Sequence, residues 1–285
     1  MPIPFVELNP NKSVSRLHFA HANGYPPQAY GPFLEQLASR FHVTAMEARP
    51  LWENQAPRRV RDWSDFAGDL ITFVEQSTPL GEAQMPLIGV GHSLGGTVTL
   101  MAAIQRPDLF KALILMDPPF YPPGASFIWN VLFRLGLVYW FHPLIKGAVN
   151  RRNDFESQEA MFAHYRRKKV FEQMDNRGLW AYVHALAAPS SNGAVHLRYS
   201  PQWESRIYAT SLLHDWKTWR NLHGFALPIL LLRPEHGAAT PEKTKKRLQK
   251  LLPQTVVQTI PGATHLAPLE KPEQVAEMIL KFLKK

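Results

Sequence analysis

The sequence predicts an α/β protein, a mostly parallel sheet with helices on both faces, interrupted once by a long helical insertion. Three observations predict it. Short apolar runs alternate with segments of helical period from residue 15 to 117, and again from residue 227 to the end. One of these runs, Leu87 to Val90, stops at Gly91-His92-Ser93-Leu94-Gly95, and helical spacing resumes directly after it. The block between Pro118 and Gly224 loses the alternation and is aromatic, basic and helical in pattern. A chain of 285 residues can bury one large core. The expected organisation is a core of residues 1–117 and 225–285 with residues 118–224 as a lid.

The elements follow in order. Residues 15–20 read as a strand that enters a loop at His21-Ala22-Asn23-Gly24-Tyr25-Pro26-Pro27, marked by its Asn-Gly and Pro-Pro steps. Tyr30 to Phe41 carries Phe33, Leu34, Leu37 and Phe41 at helical spacing, and His42 to Glu47 is a strand. A basic, Trp-containing loop, Arg49 to Arg61, leads to a helix over Asp62 to Gln76 with Phe66, Leu70, Phe73 and Val74 on one face. Ala112 to Met116 is the strand before the insertion. Inside the insertion, helices are predicted over Phe127–Ile145, Ser157–Met174, Leu179–Leu186 and Pro201–Leu212. The alternation resumes with a strand at Leu227–Leu232, a helix at Pro241–Leu252, a strand at Thr255–Ile260 and a terminal helix at Pro272–Leu283. The insertion enters at the carboxyl end of a strand, the edge where open α/β sheets bind ligands.

Gly91-His92-Ser93-Leu94-Gly95 is a G-x-S-x-G pattern between strand and helix. Two glycines remove the side chains that would collide in so tight a turn, so Ser93 can be held strained with its hydroxyl exposed. Ser93 is read as a nucleophile; the competing reading is a capping serine in a glycine-rich turn. Neither G-x-G-x-x-G nor a Gly-Lys-Ser/Thr ending is present, which excludes a dinucleotide or phosphate loop. A serine needs a base oriented by an acid. His265 follows the last predicted strand and precedes the terminal helix, so its loop opens on the edge that carries Ser93. His236 is the other candidate in a core loop. His92 stands beside the nucleophile and is expected to aim away from its target.

The order of strand, elbow serine, insertion and late histidine resembles the α/β-hydrolase family, in particular its lidded, esterase-like members with a serine nucleophile. The most specific pieces are Gly91-His92-Ser93-Leu94-Gly95-Gly96 and the ending Gly262-Ala263-Thr264-His265-Leu266 to Leu269-Glu270-Lys271-Pro272. The resemblance implies Ser93 as nucleophile and His265 as general base. The main-chain N–H groups of Leu94 and, by position, Asn23 would form the oxyanion hole, with the Asn23 side chain as a further donor. The family's usual aspartate after the insertion is replaced by Ala238. Asp117, at the end of the strand before the insertion, is the preferred acid and Glu235 the alternative.

A serine nucleophile implies hydrolysis of an ester, thioester or lactone through an acyl-enzyme, with no cofactor and no metal. C–C hydrolysis, cofactor-free perhydrolysis or acyl transfer on the same residues are alternatives, as is a non-catalytic ligand receptor of the same fold. Phe120, Trp129, Phe133 and Trp140 suggest an apolar pocket for a small-molecule ester with a medium-sized hydrophobic or aromatic acyl group; the competing reading is that most such side chains form the core of the insertion itself.

The formal net charge is +9 with a pI near 9.7. Residues 118–225 hold thirteen Lys or Arg against seven Asp or Glu, so the excess concentrates there. No helix-turn-helix or aromatic-interleaved RNA motif accompanies it, so Arg166-Arg167-Lys168-Lys169 reads as a solvated helix face, with no nucleic-acid partner. Peripheral contact with anionic substrates or membrane surfaces is the alternative. The absence of cysteine excludes disulfides, thiolate catalysis and cysteine-ligated zinc. Met1-Pro2-Ile3-Pro4-Phe5 lacks the pattern of a secretory signal, which predicts a cytoplasmic protein. The apolar segment Phe127–Ile145 is broken by Asn130, Arg134, His142 and Pro143 and is too short between them to span a bilayer.

Overall fold

A computed structural model describes residues 2–11, 14–77, 85–190, 193–211, 213 and 215–284. Its strands are β1 (Phe5–Leu8), β2 (Arg16–Ala20), β3 (His42–Met46), β4 (Leu87–His92), β5 (Phe110–Met116), β6 (Asp154–Phe155), β7 (Ala187–Pro189), β8 (Val195–Leu197), β9 (Ile229–Pro234) and β10 (Thr255–Ile260). Seven of these form one sheet in the order β1-β3-β2-β4-β5-β9-β10, parallel except for β1. Every residue of β4 is buried between β2 and β5, with Leu17 opposite Ile88 and Gly89 opposite Leu113. That burial on both faces is why the central strands read as continuous apolar runs and not as alternating ones.

The helices before the insertion are α1 (Gly31–Ala38), α2 (Ser64–Gln76) and α3 (Leu94–Gln105). Within it lie α4 (Pro123–Arg134), α5 (Val138–Phe141), α6 (Pro143–Val149), α7 (Gln158–Arg166), α8 (Asn176–Leu186), α9 (Pro201–Ala209) and α10 (Asp215–Asn221). After it come α11 (Glu242–Leu251), α12 (Ala267–Glu270) and α13 (Pro272–Leu283). The long helix expected over Phe127–Ile145 is three helices. Gly136 sits at φ +72 after α4, and His142 is extended, as the residue before a proline prefers, between α5 and α6. The expected Ser157–Met174 helix stops at Arg166, and Pro201–Leu212 stops at Ala209, with Leu212 outside the described residues. Sequence patterning misses β1, a short edge strand of half-exposed residues, and the two- and three-residue strands β6, β7 and β8, which pair in the order β6-β8-β7. Such strands are too short to carry a period.

Side chains of the insertion bond directly to core loops. Arg206 donates to the Val60 carbonyl, Trp63 Nε1 donates 2.9 Å to the Ile207 carbonyl, and Arg198 meets Glu47 at 3.2 Å. Phe155, Tyr165, Phe171 and Tyr182 join the same apolar cluster as the sheet. Among the described residues, no helix is long and apolar enough to cross a membrane.

His18, in the middle of β2, is fully buried against the Phe73 ring. Its Nδ1 lies 3.0 Å from Thr44 Oγ1, while Nε2 has no partner. Burial, reinforced by the Arg16 charge, pushes its pKa down to about 3. The imidazole is neutral when folded and takes up a proton on unfolding below the ordinary value of 6.5. Its contribution to stability is therefore complete above that value and is lost as pH falls toward 3. Urea unfolding should cost about 2 kcal/mol less at pH 5 than at pH 7 through this residue alone. In His18→Leu the pH slope across that interval should fall by up to about one proton.

Candidate active site

Ser93 follows β4 and opens α3 with φ +53 and ψ −121, a region that L-residues rarely occupy. The turn is held by neighbours that lack side chains. A Cβ on Gly91 would fall 2.3 Å from the Gly95 carbonyl oxygen, and one on Gly95 would fall 2.0 Å from the Ala20 carbonyl oxygen. These approaches press the first turn of α3 against the end of β2. The Ser93 N–H donates 2.9 Å to the Met116 carbonyl, and the Ser93 carbonyl accepts from Gly96 and Thr97. The N–H groups of Leu94 and Gly95 precede those first helical bonds and have no intrahelical acceptor.

His265 follows β10 on a loop fixed from below. Glu270 accepts from the Thr264 N–H at 2.8 Å and from the Thr264 hydroxyl, which explains the Thr-His and Leu-Glu-Lys-Pro parts of the ending singled out in the sequence. The His265 Nδ1 lies 2.6 Å from Asp117 Oδ2, and its Nε2 lies 3.0 Å from Ser93 Oγ. A carboxylate beside Nδ1 fixes that nitrogen as the donor, which leaves Nε2 as the acceptor for the Ser93 hydroxyl.

Asp117 is buried at the end of β5 with φ +43, the second strained residue at this edge of the sheet. Its own N–H donates 2.8 Å to the Leu232 carbonyl of β9, and both carboxylate oxygens accept from the Ala239 N–H at 2.9 Å. The loop after β9, where the resemblance places an aspartate and this chain has Ala238, thus contributes a main-chain donor to Asp117. Glu235 is half-exposed and turns elsewhere: it accepts 2.6 Å from the Gly262 N–H. His236 is exposed and stands 4.0 Å from Glu235.

Asn23 is buried on the loop after β2, and its side-chain amide is bonded to the insertion. Its Nδ2 donates 3.0 Å to the Glu204 carbonyl, and its Oδ1 accepts 2.8 Å from the Tyr199 hydroxyl. The side chain expected as a further donor is thus engaged at Nδ2 and at Oδ1 by α9 and the residues before it. Next to it, Gly24 at φ +80 leaves room for Arg151 and Glu204, whose nearest atoms stand 3.3 Å from where its Cβ would be. Arg151 meets Glu204 at 2.5 Å and donates to the Tyr165 and Tyr182 hydroxyls at 2.9 and 2.6 Å. Burial works against its charge, yet Tyr182, Glu204 and Tyr165 hold its pKa well above the usual value.

His92 is the residue that sequence reasoning undervalued. Its Nε2 donates 2.7 Å to the His265 carbonyl and its Nδ1 accepts 2.8 Å from the Tyr30 hydroxyl. Tyr30 in turn accepts from the Ala22 N–H at 3.3 Å. Burial lowers the His92 pKa to about 3, with the neighbouring His265 adding to the effect, so the ring is a neutral linker between the loop after β2 and the loop of His265. Tyr30 looks like an ordinary core position in sequence, and no spacing signal reveals the chain of contacts.

Of the four aromatic residues expected to line a pocket, Phe120 borders an apolar cavity with Leu100, Leu115 and Leu231, and the other three are packed or exposed. Phe120 is buried and stacks on Trp219 at 4.5 Å, Trp129 Nε1 donates to the Ala209 carbonyl, and the Phe133 ring lies under Arg206 at 5.2 Å. Trp140 is 71% exposed. The insertion needs apolar side chains for its own core, and Trp129 and Phe133 serve it. Among the described residues, no group of three or more His, Asp or Glu side chains is arranged to hold a metal ion.

Gly95→Ala should destabilise the fold by about 3 kcal/mol or more, because its Cβ meets backbone and not a movable side chain; thermal unfolding measures it. Tyr199→Phe should cost about 1 kcal/mol by the same measurement, through the bond lost to Asn23.

The chain is 32% identical over 133 residues to the type I acyl-CoA thioesterase mpaH' of Penicillium brevicompactum, a match covering 42% of this chain but only 30% of that relative. It is 23% identical over 252 residues to the uncharacterized hydrolase YugF of Bacillus subtilis, covering 87% of this chain and 82% of the relative. The crystal structure of E-2-(acetamidomethylene)succinate hydrolase superposes with a TM-score of 0.74 over 99% of this chain and 100% of that one, at 19% identity. The sequence model of the alpha/beta hydrolase family matches residues 19–278, and the chain belongs to that family.

Proposed function

We propose that this protein is a serine hydrolase that cleaves carboxylic esters through an acyl-enzyme. The observation that carries the reading is the line of Asp117 Oδ2, His265 and Ser93 Oγ, with contacts of 2.6 and 3.0 Å. In this mechanism His265 Nε2 takes the Ser93 proton as Oγ attacks the acyl carbon. The negative charge that develops on the acyl oxygen is met by the N–H groups of Leu94 and Asn23. His265 then gives its proton to the leaving alkoxide, and the alcohol departs from the acyl-enzyme. A water molecule, deprotonated by the same nitrogen, attacks the acyl carbon; the acid is released and Ser93 regains its proton. Asp117 keeps the ring oriented and stabilises its protonated form, with Ala239 holding the carboxylate in place.

Residues 118–224 act in this reading as a lid that selects the acyl group, which is hydrophobic or aromatic. That preference rests on the apolar character of the insertion as a whole. A thioester is the second reading, favoured by the name of the Penicillium relative; the attack is the same and a thiolate leaves in place of an alkoxide.

Turnover of p-nitrophenyl esters of increasing acyl length tests the proposal. Ser93→Ala and His265→Ala should each lose about a thousandfold or more in kcat. Asp117→Asn should lose a similar factor, while Glu235→Gln should stay within about twofold of the parent. A folded protein that neither turns over any ester nor is labelled by a fluorophosphonate would be a ligand receptor instead. Activity that survives in Ser93→Ala would rule out the acyl-enzyme.

A further inference from the structure

The three helices α4, α5 and α6 bury one side only. Trp129, Leu132 and Phe133 of α4 pack with Val138 and Ile145 against Ala209 and Tyr208, which forms a small apolar cluster separate from the main core. The opposite side is apolar as well, and it is uncovered. Phe127, Ile128, Val131 and Leu135 repeat at helical spacing along and just beyond α4, with Phe127 73% exposed. Trp140 and Phe141 are each 71% exposed, and Leu144 and Val149 on α6 are more than half exposed. No other stretch of the described residues shows so many large apolar side chains to solvent. Isolated exposed apolar residues are ordinary, but a run of eight on consecutive short helices is a contact surface.

Charge indicates what it contacts. From Pro118 to Asn153 the chain contains no Asp or Glu, and its charged residues are Arg134, Lys146, Arg151 and Arg152. The Arg151 side chain is only 13% exposed, whereas Arg134 and Lys146 are exposed among the apolar residues. Bulky aromatic residues bordered by cations and free of acids match the boundary of an anionic bilayer, where rings enter the acyl region and Lys and Arg meet the headgroups. The helices have twelve, four and seven residues, lengths that suit lying in the interface and not crossing it.

We propose that the outer face of α4, α5 and α6 docks the protein on an anionic lipid surface. The proposal needs nothing from Ser93 or His265, so it stands or falls apart from the catalytic reading. The test is co-sedimentation of the whole protein with vesicles of phosphatidylcholine alone and of phosphatidylcholine mixed with phosphatidylglycerol. The protein should pellet with the mixed vesicles and weakly or not at all with the neutral ones. The double substitution Phe127→Asn with Phe141→Asn should weaken that binding by about tenfold or more. Arg134→Gln with Lys146→Gln should weaken it by about tenfold and remove the preference for anionic lipid. Both pairs lie on the exposed face, and circular dichroism and thermal unfolding should match the parent. Failure to pellet with the mixed vesicles would overturn the proposal, as would equal pelleting of the parent and the Phe127/Phe141 variant. Sedimentation equilibrium that finds a dimer which this variant disperses would assign the face to a second copy of the chain and overturn it too.

Discussion

Gly95 crosses the end of β2 so closely that a methyl group there would lie 2.0 Å from the Ala20 carbonyl oxygen. That approach allows α3 to begin directly beneath the loop after β2. It sets the first turn of α3 against the carbonyl oxygens of Ala20 and His21, with Ser93 at its head in a conformation that few residues tolerate. The strain is concentrated at Ser93 and Asp117, the two residues at the ends of adjacent central strands, and the surrounding sheet is rigid enough to hold both.

Order then passes outward through hydrogen bonds and not through apolar packing alone. One path runs from Ala22 through Tyr30 and His92 to the His265 carbonyl, and a second runs from Ala239 through Asp117 to the His265 ring. The two paths hold the same residue, one by its main chain and one by its side chain. His92 suits the first because burial keeps it neutral: a ring with one donor and one acceptor can join a hydroxyl to a carbonyl, which a doubly protonated ring cannot.

Much of this was legible in the sequence, and what was not has a physical cause. The elbow around Ser93 is a local pattern of five residues whose sterics are complete in themselves, and His265 is located by the strand before it and the helix after it. Asp117 needed one further step, the placement of a strand end beside the histidine loop. The bonds of the Asn23 amide were not legible because its partners, Tyr199 and Glu204, are far away in sequence and leave no spacing signal. The individual placements of the insertion's aromatic residues were not legible for a different reason: composition shows that apolar groups are present but not which side of a helix they occupy, and Phe133 and Trp140 have opposite fates. The single helix expected over Phe127–Ile145 failed where Gly136 and Pro143 break the backbone, since apolar runs read through both.

The bonds from Tyr199 and Asn23 to one another, and from Asn23 to Glu204, have a bearing on how such a protein can change over generations. A segment that only covered a site could be exchanged like a cassette, altering what enters without altering what happens there. Here the same stretch of chain holds the loop after β2 by both ends of one side chain, so variation around Tyr199 and Glu204 shifts that loop as well. Variation in α4 to α6 that keeps Arg151, Tyr199 and Glu204 leaves this hold intact.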